Sequence, residues 1–241
     1  MPCPPGDSAV IVSYSKGGAE ACSSMTRPPA GSGGSGHLPG DGVVKSIGRS
    51  DAPLYGPIRD WMMSMELSSA APGVGDTVPD FFLPDQEARL VSLANLLADG
   101  PIVLAFIGGG WCSFCLRRLR IMSQALRDGP ARLVAITPET GRYPRAMKQD
   151  HKLDCMVLSD VDYGVGLLFG LIFPPPQPIV SQMASAGFDL ARLHGVSKPM
   201  LPAPAFYVID RSGKIAYAQV ELDYTVAGDP APVLDALAYQ T

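Results

Sequence analysis

Two cysteines separated by Ser113 and Phe114, in Trp111-Cys112-Ser113-Phe114-Cys115, constrain this chain more than any other feature, because of what flanks them. Upstream lies Ile102-Val103-Leu104-Ala105-Phe106-Ile107, an apolar run bounded by Gly100-Pro101 and by three glycines, which predicts a buried parallel strand. Downstream, Leu116, Leu119, Met122 and Leu126 recur at spacings of three and four, with Arg117, Arg118, Arg120 and Arg127 between them. That spacing predicts a helix with one apolar face. The cysteines therefore stand where a strand ends and a helix begins. A helix N-terminus offers unpaired N–H groups and partial positive charge, both of which favour thiolate over thiol. In such a place a cysteine pKa falls from about 8.5 toward roughly 3.5–7.5, and the thiolate is the reactive species. The pattern points to thiol redox chemistry by Cys112 and Cys115.

Two other readings of the pair stand beside this one. A structural zinc site needs four ligands, usually from two paired knuckles. Cys3, Cys22 and Cys155 form no second close pair, and His37, His151 and His194 are isolated, so no metal is expected. Two inert core cysteines are the other reading, since a free cysteine is often simply buried.

Composition narrows the class. The 241 residues hold one large or two small domains, and 46% apolar content supports a sizeable core. A net charge of -4 gives no basic footprint for nucleic acid. No apolar stretch approaches the roughly 20 residues that span a bilayer, so no membrane partner is expected. The first residues lack a basic start and hold only a short apolar patch, Ala9 to Tyr14, a poor secretory signal. A cytoplasmic location is the expectation, and an odd cysteine count with one tight pair fits catalysis better than a disulfide framework.

Along the chain, residues 1–50 are rich in Gly, Ser and Pro and are expected to form a disordered tail. Residues 51–72 are expected to be a short helix and linker, with Leu54, Ile58, Trp61, Met62 and Met65 on the helix and Trp61 as a packing anchor. Residues 73–241 are the expected folded domain. Val91-Ser92-Leu93 reads as a short strand, and Leu93 to Leu97 as the start of a helix. Arg132-Leu133-Val134-Ala135-Ile136-Thr137 reads as a second buried strand, joined to the first through the Arg-rich helix in a βαβ unit. A helix around Met147 to Lys152 and a strand around Cys155 to Leu158 follow, with Cys155 plugging the strand. Ala205–Asp210 and Lys214–Val220 flank Arg211-Ser212-Gly213, a hairpin signal, and Pro230 to Leu237 reads as a closing helix. Ahead of the hairpin lies an inserted segment, Tyr163 to Leu201, whose apolar stretch Leu167-Leu168-Phe169 and Leu171-Ile172-Phe173 reads as core helix. Met183, Phe188, Leu190 and Leu193 suggest a second helix shielding the mouth of the site.

Three stretches together resemble the thioredoxin-fold peroxiredoxin-like proteins of the alkyl hydroperoxide reductase/thiol-specific antioxidant family. They are Gly75-Asp76-Thr77-Val78-Pro79-Asp80-Phe81, the segment Gly108 to Cys115, and Leu201-Pro202-Ala203-Pro204-Ala205-Phe206-Tyr207-Val208-Ile209-Asp210-Arg211-Ser212-Gly213. The resemblance covers about residues 73 to 240. It implies an α/β fold with a thioredoxin-like mixed sheet, parallel strands plus a C-terminal β-hairpin, and helices on both faces. It implies an antioxidant oxidoreductase that reduces hydroperoxides by cycling Cys112 and Cys115 between dithiol and disulfide. No cofactor is called for, the electron donor is of the thioredoxin or glutathione type, and a homodimer is compatible with the family.

Within that resemblance two patterns overlap. Trp111, Cys112 and Cys115 match the Trp-Cys-x-x-Cys of thioredoxin-like disulfide reductases, whose first cysteine attacks and whose second resolves. Peroxiredoxins place Pro-x-x-x-Thr/Ser-x-x-Cys there instead; here Gly108 replaces the proline, Cys112 the threonine, and Cys115 takes the peroxidatic position. A thiol is a much weaker donor and acceptor than the threonine hydroxyl. Pro204 stands where peroxiredoxins carry an arginine, and Arg117 and Arg118 are expected to be solvated on the helix surface. In the thioredoxin pattern Pro204 is a cis-proline opposite the cysteines, with Ala203 and Pro204 offering backbone groups to an extended substrate and Trp111 a partly exposed platform beside them. A protein disulfide reductase is thus the second functional reading, and a non-catalytic redox-sensing module the third.

Overall fold

The structure is a computed structural model that describes residues 52–65, 71–223, 225–226 and 228–239. The tail assigned to residues 1–50 lies outside them, as do residues 66–70 of the expected linker. The elements run α1 (Ala52–Met63), β1 (Phe82–Pro84), β2 (Leu90–Ser92), α2 (Leu93–Leu97), β3 (Ile102–Phe106), α3 (Ser113–Leu126), β4 (Arg132–Thr137) and α4 (Tyr143–Asp150). They continue as β5 (Met156–Ser159), α5 (Gly164–Leu168), β6 (Ile172–Phe173), α6 (Gln177–Ser185), α7 (Leu190–His194), β7 (Leu201–Pro202), β8 (Ala205–Ile209), β9 (Ile215–Val220) and α8 (Ala231–Ala238).

One mixed sheet of order β5-β4-β3-β8-β9 organises the domain. β5, β4 and β3 are parallel, and the β8–β9 hairpin adds two antiparallel strands on the other side of β3. β3 is central and buried at every position, which is why its sequence is an unbroken apolar run rather than an alternation. Its side chains still divide by the period of two. Val103 and Ala105 join Leu116, Leu119 and Met122 of α3, Met147 of α4 and Val233 and Leu237 of α8 on one face. Ile102, Leu104 and Phe106 join Leu93 and Leu96 of α2 and Val165, Phe169 and Leu171 on the other. Helices cover both faces, as the sequence patterns require.

Two parts of the chain pack more deeply than their sequences suggest. α1 is not an appendage before the domain: Tyr55, Ile58 and Met62 are buried in the α3-side core, with Trp61 packed against it. The stretch after β5 divides rather than forming one core helix. Leu167 and Leu168 are exposed on α5, while Phe169 and Leu171 turn inward. Phe169 meets the rings of Phe106 and Tyr207 at centroid distances of 4.9 and 4.8 Å. β6 then pairs with β7, so the insertion enters on one sheet face and sends α6 and α7 to the other.

Hydrogen bonds tie the two ends of that insertion together. Met200 N–H donates to the Tyr163 hydroxyl at 3.1 Å, and the hydroxyl lies 3.0 Å from His194 Nδ1. Burial pulls the His194 pKa down to about 4, so this ring is neutral. Asp160 lies just ahead of the insertion: its carboxylate accepts from Val165 N–H and Gly166 N–H at 2.9 and 2.7 Å, capping α5. Among the described residues, no helix is long and apolar enough to cross a membrane.

Candidate active site

The reactive segment is built by the end of β3 and the start of α3. Ile107 N–H still pairs with the Ile136 carbonyl at 3.0 Å, and the chain then leaves the sheet through Gly108, Gly109 and Gly110. Small residues are required there. Trp111 folds back so that its Nε1–H donates to the Gly108 carbonyl at 3.1 Å, and its ring lies where a Gly108 side chain would stand. Gly109 has a φ of 143°, a conformation that disfavours side chains. The turn closes when Cys112 N–H donates to the Gly109 carbonyl at 3.2 Å.

Cys112 is the N-cap of α3, and its Sγ accepts the Cys115 N–H at 3.2 Å. The two sulfurs lie at disulfide distance, with Cα atoms 5.3 Å apart. An N–H aimed at Cys112 Sγ, together with the helix dipole, favours the thiolate at that position once the pair is reduced. Cys155 behaves differently. It is buried at the opposite end of the sheet, before β5, and burial pushes its thiol up to about 11, so it is inert.

The pair is covered. Cys112 is 1% exposed and Cys115 3%. Tyr55 of α1 reaches over the start of α3: its hydroxyl accepts Ser113 N–H at 3.2 Å and lies 3.1 Å from Ser113 Oγ, and its ring stands edge-on to Phe114 at 4.6 Å. The cover over the start of α3 thus comes from α1, a helix that the sequence pattern did not connect with the cysteines, and α6 of the insertion packs against α1 in turn.

The other expected site residues are placed as follows. Trp111 is only 3% exposed, not a partly open platform; its indole is used to close the glycine turn. Continuing the β3–β8 register sets Pro204 opposite Ile107 and Ala203 opposite Gly108, beside the turn, and both are buried. The Ala203–Pro204 peptide is trans rather than cis. Extended chain here satisfies two pairings at once, Ala203 N–H to the Leu171 carbonyl at 2.7 Å and Glu221 N–H to the Pro204 carbonyl at 2.8 Å. Those backbone groups are therefore engaged within the domain.

Arg117 is exposed, but Arg118 is not the solvated residue its neighbours suggested. It is 4% exposed, with its guanidinium 5.3 Å from the centroid of the Phe206 ring and its Nε against Gly228. Burial pulls its pKa down, opposed by the charge of Glu221. The helix face that carries Leu116 and Leu119 is wide enough to take in this position as well.

Glu139 is the site residue that the motif did not reveal. It is wholly buried behind the glycine turn; its Oε2 accepts Gly110 N–H at 3.1 Å, and a side chain at Gly109 would collide with the carboxyl. Burial pushes its pKa up to about 7 against the lowering effect of the Gly110 hydrogen bond. A signal for it existed: β3 and β4 are parallel with Phe106 beside Ile136, so residues three beyond each, Gly109 and Glu139, emerge level with one another. The C-terminal ends of parallel strands are where α/β sheets collect functional groups.

The raised pKa has a consequence for stability with a definite sign. The folded protein holds the Glu139 proton up to about 7, while the unfolded chain releases it near 4.5. Stability from this group is complete below about 4.5 and is lost as pH rises through about 7, in total about 3 kcal/mol. His194, whose pKa is pulled down to about 4, acts in the opposite sense as pH rises and flattens the wild-type profile. Denaturant melts of the oxidised protein are expected to show Glu139→Gln gaining on wild type by about 3 kcal/mol between mildly acid and mildly alkaline pH. Parallel profiles for the two proteins would contradict this.

Comparison with known proteins agrees with this architecture. Residues 74–218 match the AhpC/TSA family. Proteins of two Mycobacterium tuberculosis strains, assigned to the peroxiredoxins, are 32% identical over 100 residues; the match spans 40% of this chain and 65% of each relative. The crystal structure of peroxidoxin BcpB from Mycobacterium tuberculosis is similar with a TM-score of 0.50 and 25% identity, covering 68% of this chain and 94% of that one. The thiol peroxidase from Chromobacterium violaceum has a TM-score of 0.54 at 16% identity, covering 70% and 88% of the two chains. A peroxiredoxin-like protein from Aquifex aeolicus has a TM-score of 0.56 at 14% identity, covering 71% and 89%, and these last two likenesses concern the fold. With the match running from Val74, ahead of β1, to Ala218 in β9, over more than half its length, the chain belongs to the AhpC/TSA family.

Proposed function

We propose that this protein is a thiol peroxidase that reduces hydroperoxides by cycling Cys112 and Cys115. The observation that carries the reading is the pair itself: two sulfurs at disulfide distance on the first turn of α3, in a domain of this family. One thiolate attacks the terminal oxygen of the hydroperoxide; the O–O bond breaks, an alcohol leaves with a proton, and a sulfenic acid remains. The second cysteine displaces hydroxide from that sulfur, which leaves as water, and the disulfide forms. A donor dithiol of the thioredoxin or glutathione type then takes over the disulfide by exchange and restores both thiols. Trp111, Ala203 and Pro204 shape the walls behind the pair. The reading carries with it a cytoplasmic, thiol-reducing setting, and it leaves room for a homodimer.

A second reading, protein disulfide reduction, rests on Cys112 as N-cap, the arrangement that exposes a nucleophile in Trp-Cys-x-x-Cys sites. Burial weighs against it as the main activity, because a small hydroperoxide reaches a covered sulfur more readily than a folded protein's disulfide does. The test is consumption of a hydroperoxide and of a protein disulfide, measured side by side with one dithiol donor. Peroxide is expected to be consumed, about 10²–10³-fold more slowly than at a site with full threonine and arginine donors. Consumption of the protein disulfide alone would select the second reading, and consumption of neither would leave a redox-sensing module.

A further inference from the structure

A cavity of about 470 Å³ lies at the far end of the sheet from the cysteines, where β4 and β5 begin and α2 and α3 end. β3, β4 and β5 are parallel, and the reactive turn follows the C-terminal end of β3. The length of the strands therefore separates this cavity from Cys112 and Cys115. Its size is that of a site for a small organic molecule.

The floor of the cavity is apolar and its rim is cationic. Leu96, Leu126, Leu133 and Val134 are buried beneath it, and Met156 is partly covered. Arg89, Arg127, Arg132 and Lys148 line it against a single acid, Asp154, in a chain of net charge -4. Two of these cations are engaged. Arg89 pairs with Asp85 at 2.7 Å, and Arg132 pairs with Asp99 at 3.1 Å and donates to the Leu96 carbonyl at 2.7 Å. Lys148 and Arg127 have no acid partner among the described residues. Lys148 is partly buried and its ammonium donates to the Cys155 carbonyl at 2.7 Å, while Arg127 is exposed at the C-cap of α3. Gln86 adds neutral donors: its Oε1 accepts Val157 N–H at 2.9 Å, which leaves its amide N–H groups over. With Asp154 set against them, Lys148 and Arg127 leave a single positive charge for an occupant to balance.

We propose that this cavity binds an organic monocarboxylate with an apolar body. Lys148 and Arg127 hold the carboxylate, with Gln86 as a further donor, and the body covers Leu96, Leu126, Leu133 and Met156. A partly buried ammonium gains from such a partner, because charge-assisted hydrogen bonds strengthen away from water. A phosphate fits less well. Phosphates are held by the unpaired N–H groups of helix N-termini, whereas α2 and α3 turn their C-terminal ends to this cavity. Carbonyls at those ends are already answered, that of Leu96 by Arg132 and that of Leu126 by Gly129 N–H at 3.0 Å. Binding here involves no change of bond and does not depend on the chemistry of the cysteines.

The test is calorimetric titration of the oxidised full-length protein at low salt with three probes. Decanoate has tail and head, decylammonium the same length of tail with the opposite charge, and acetate the head alone. Decanoate is expected to saturate one site with half-saturation below about 1 mM, and the other two to bind at least about tenfold more weakly. Lys148→Gln and Arg127→Gln are each expected to weaken decanoate about fivefold, and Asp154→Asn to strengthen it about threefold. Methyl spectra locate the bound probe: Leu126 and Leu133 are expected to shift, while Leu116 and Leu119, on the turns of α3 near the cysteines, stay in place. Absence of saturable binding, equal affinity for decanoate and decylammonium, unchanged affinity in the variants, or shifts confined to other residues would each overturn the proposal. Arg127 and Asp154 are exposed, so their variants decide the matter should Lys148→Gln not fold.

Discussion

Cys112→Ser is expected to abolish disulfide exchange, lowering its rate by about 10³-fold or more, as removal of an attacking nucleophile does elsewhere. The reason lies at the start of α3. Cys112 is the residue outside the first helical turn, and it is the sulfur that receives the Cys115 N–H, so a negative charge there is held by both a hydrogen bond and the dipole. Cys115→Ser keeps that attacking sulfur and loses the one that resolves. It is expected to accumulate a mixed disulfide with the partner thiol, seen as a stable covalent adduct by intact mass. Peroxide consumption separates the orders of attack. A Cys112→Ser protein that still consumed hydroperoxide rapidly would make Cys115 the peroxidatic residue and reverse the assignment.

The second large effect concerns the insertion rather than the cysteines. Phe169→Ala is expected to cost about 3–5 kcal/mol of stability, measured by denaturant unfolding. Phe169 is 1% exposed and fills the space between Phe106 of the central strand and Tyr207 of its antiparallel neighbour, so deleting the ring opens a cavity under the sheet. Leu168→Ala, one residue earlier and 52% exposed, is expected to change stability by under about 0.5 kcal/mol. Equal losses at the two positions would mean that the segment does not turn inward after α5.

The strands were legible because burial on both sheet faces leaves a continuous apolar run, as in β3 and β4, and because Arg211-Ser212-Gly213 marks the β8–β9 turn. The cysteine site was legible because a short spacing at a strand–helix junction leaves few alternatives. What escaped was long-range. Nothing in Ala52 to Met63 says that Tyr55 meets Ser113, a contact across 58 residues. Arg118 carries the sequence signature of a solvated helix face, and only the packing of Phe206 and Gly228 against α3 buries it. Trp111 was misplaced because a tryptophan beside a reactive thiol serves equally as wall or as plug, and the Gly108 carbonyl decides for the plug. Glu139 required reading two parallel strands side by side, since its neighbours in sequence, Pro138 and Thr140, carry no motif.

Central to the account is a reversible bond between two particular sulfurs, and thiol mapping measures it directly. Fully reduced protein is treated with a stoichiometric amount of hydroperoxide, free thiols are alkylated, and peptides are assigned by mass. The account predicts that Cys112 and Cys115 disappear together into one disulfide, that Cys155 stays free, and that a dithiol returns both. Cys112 and Cys115 both remaining alkylatable, or oxidation confined to Cys155, would contradict it.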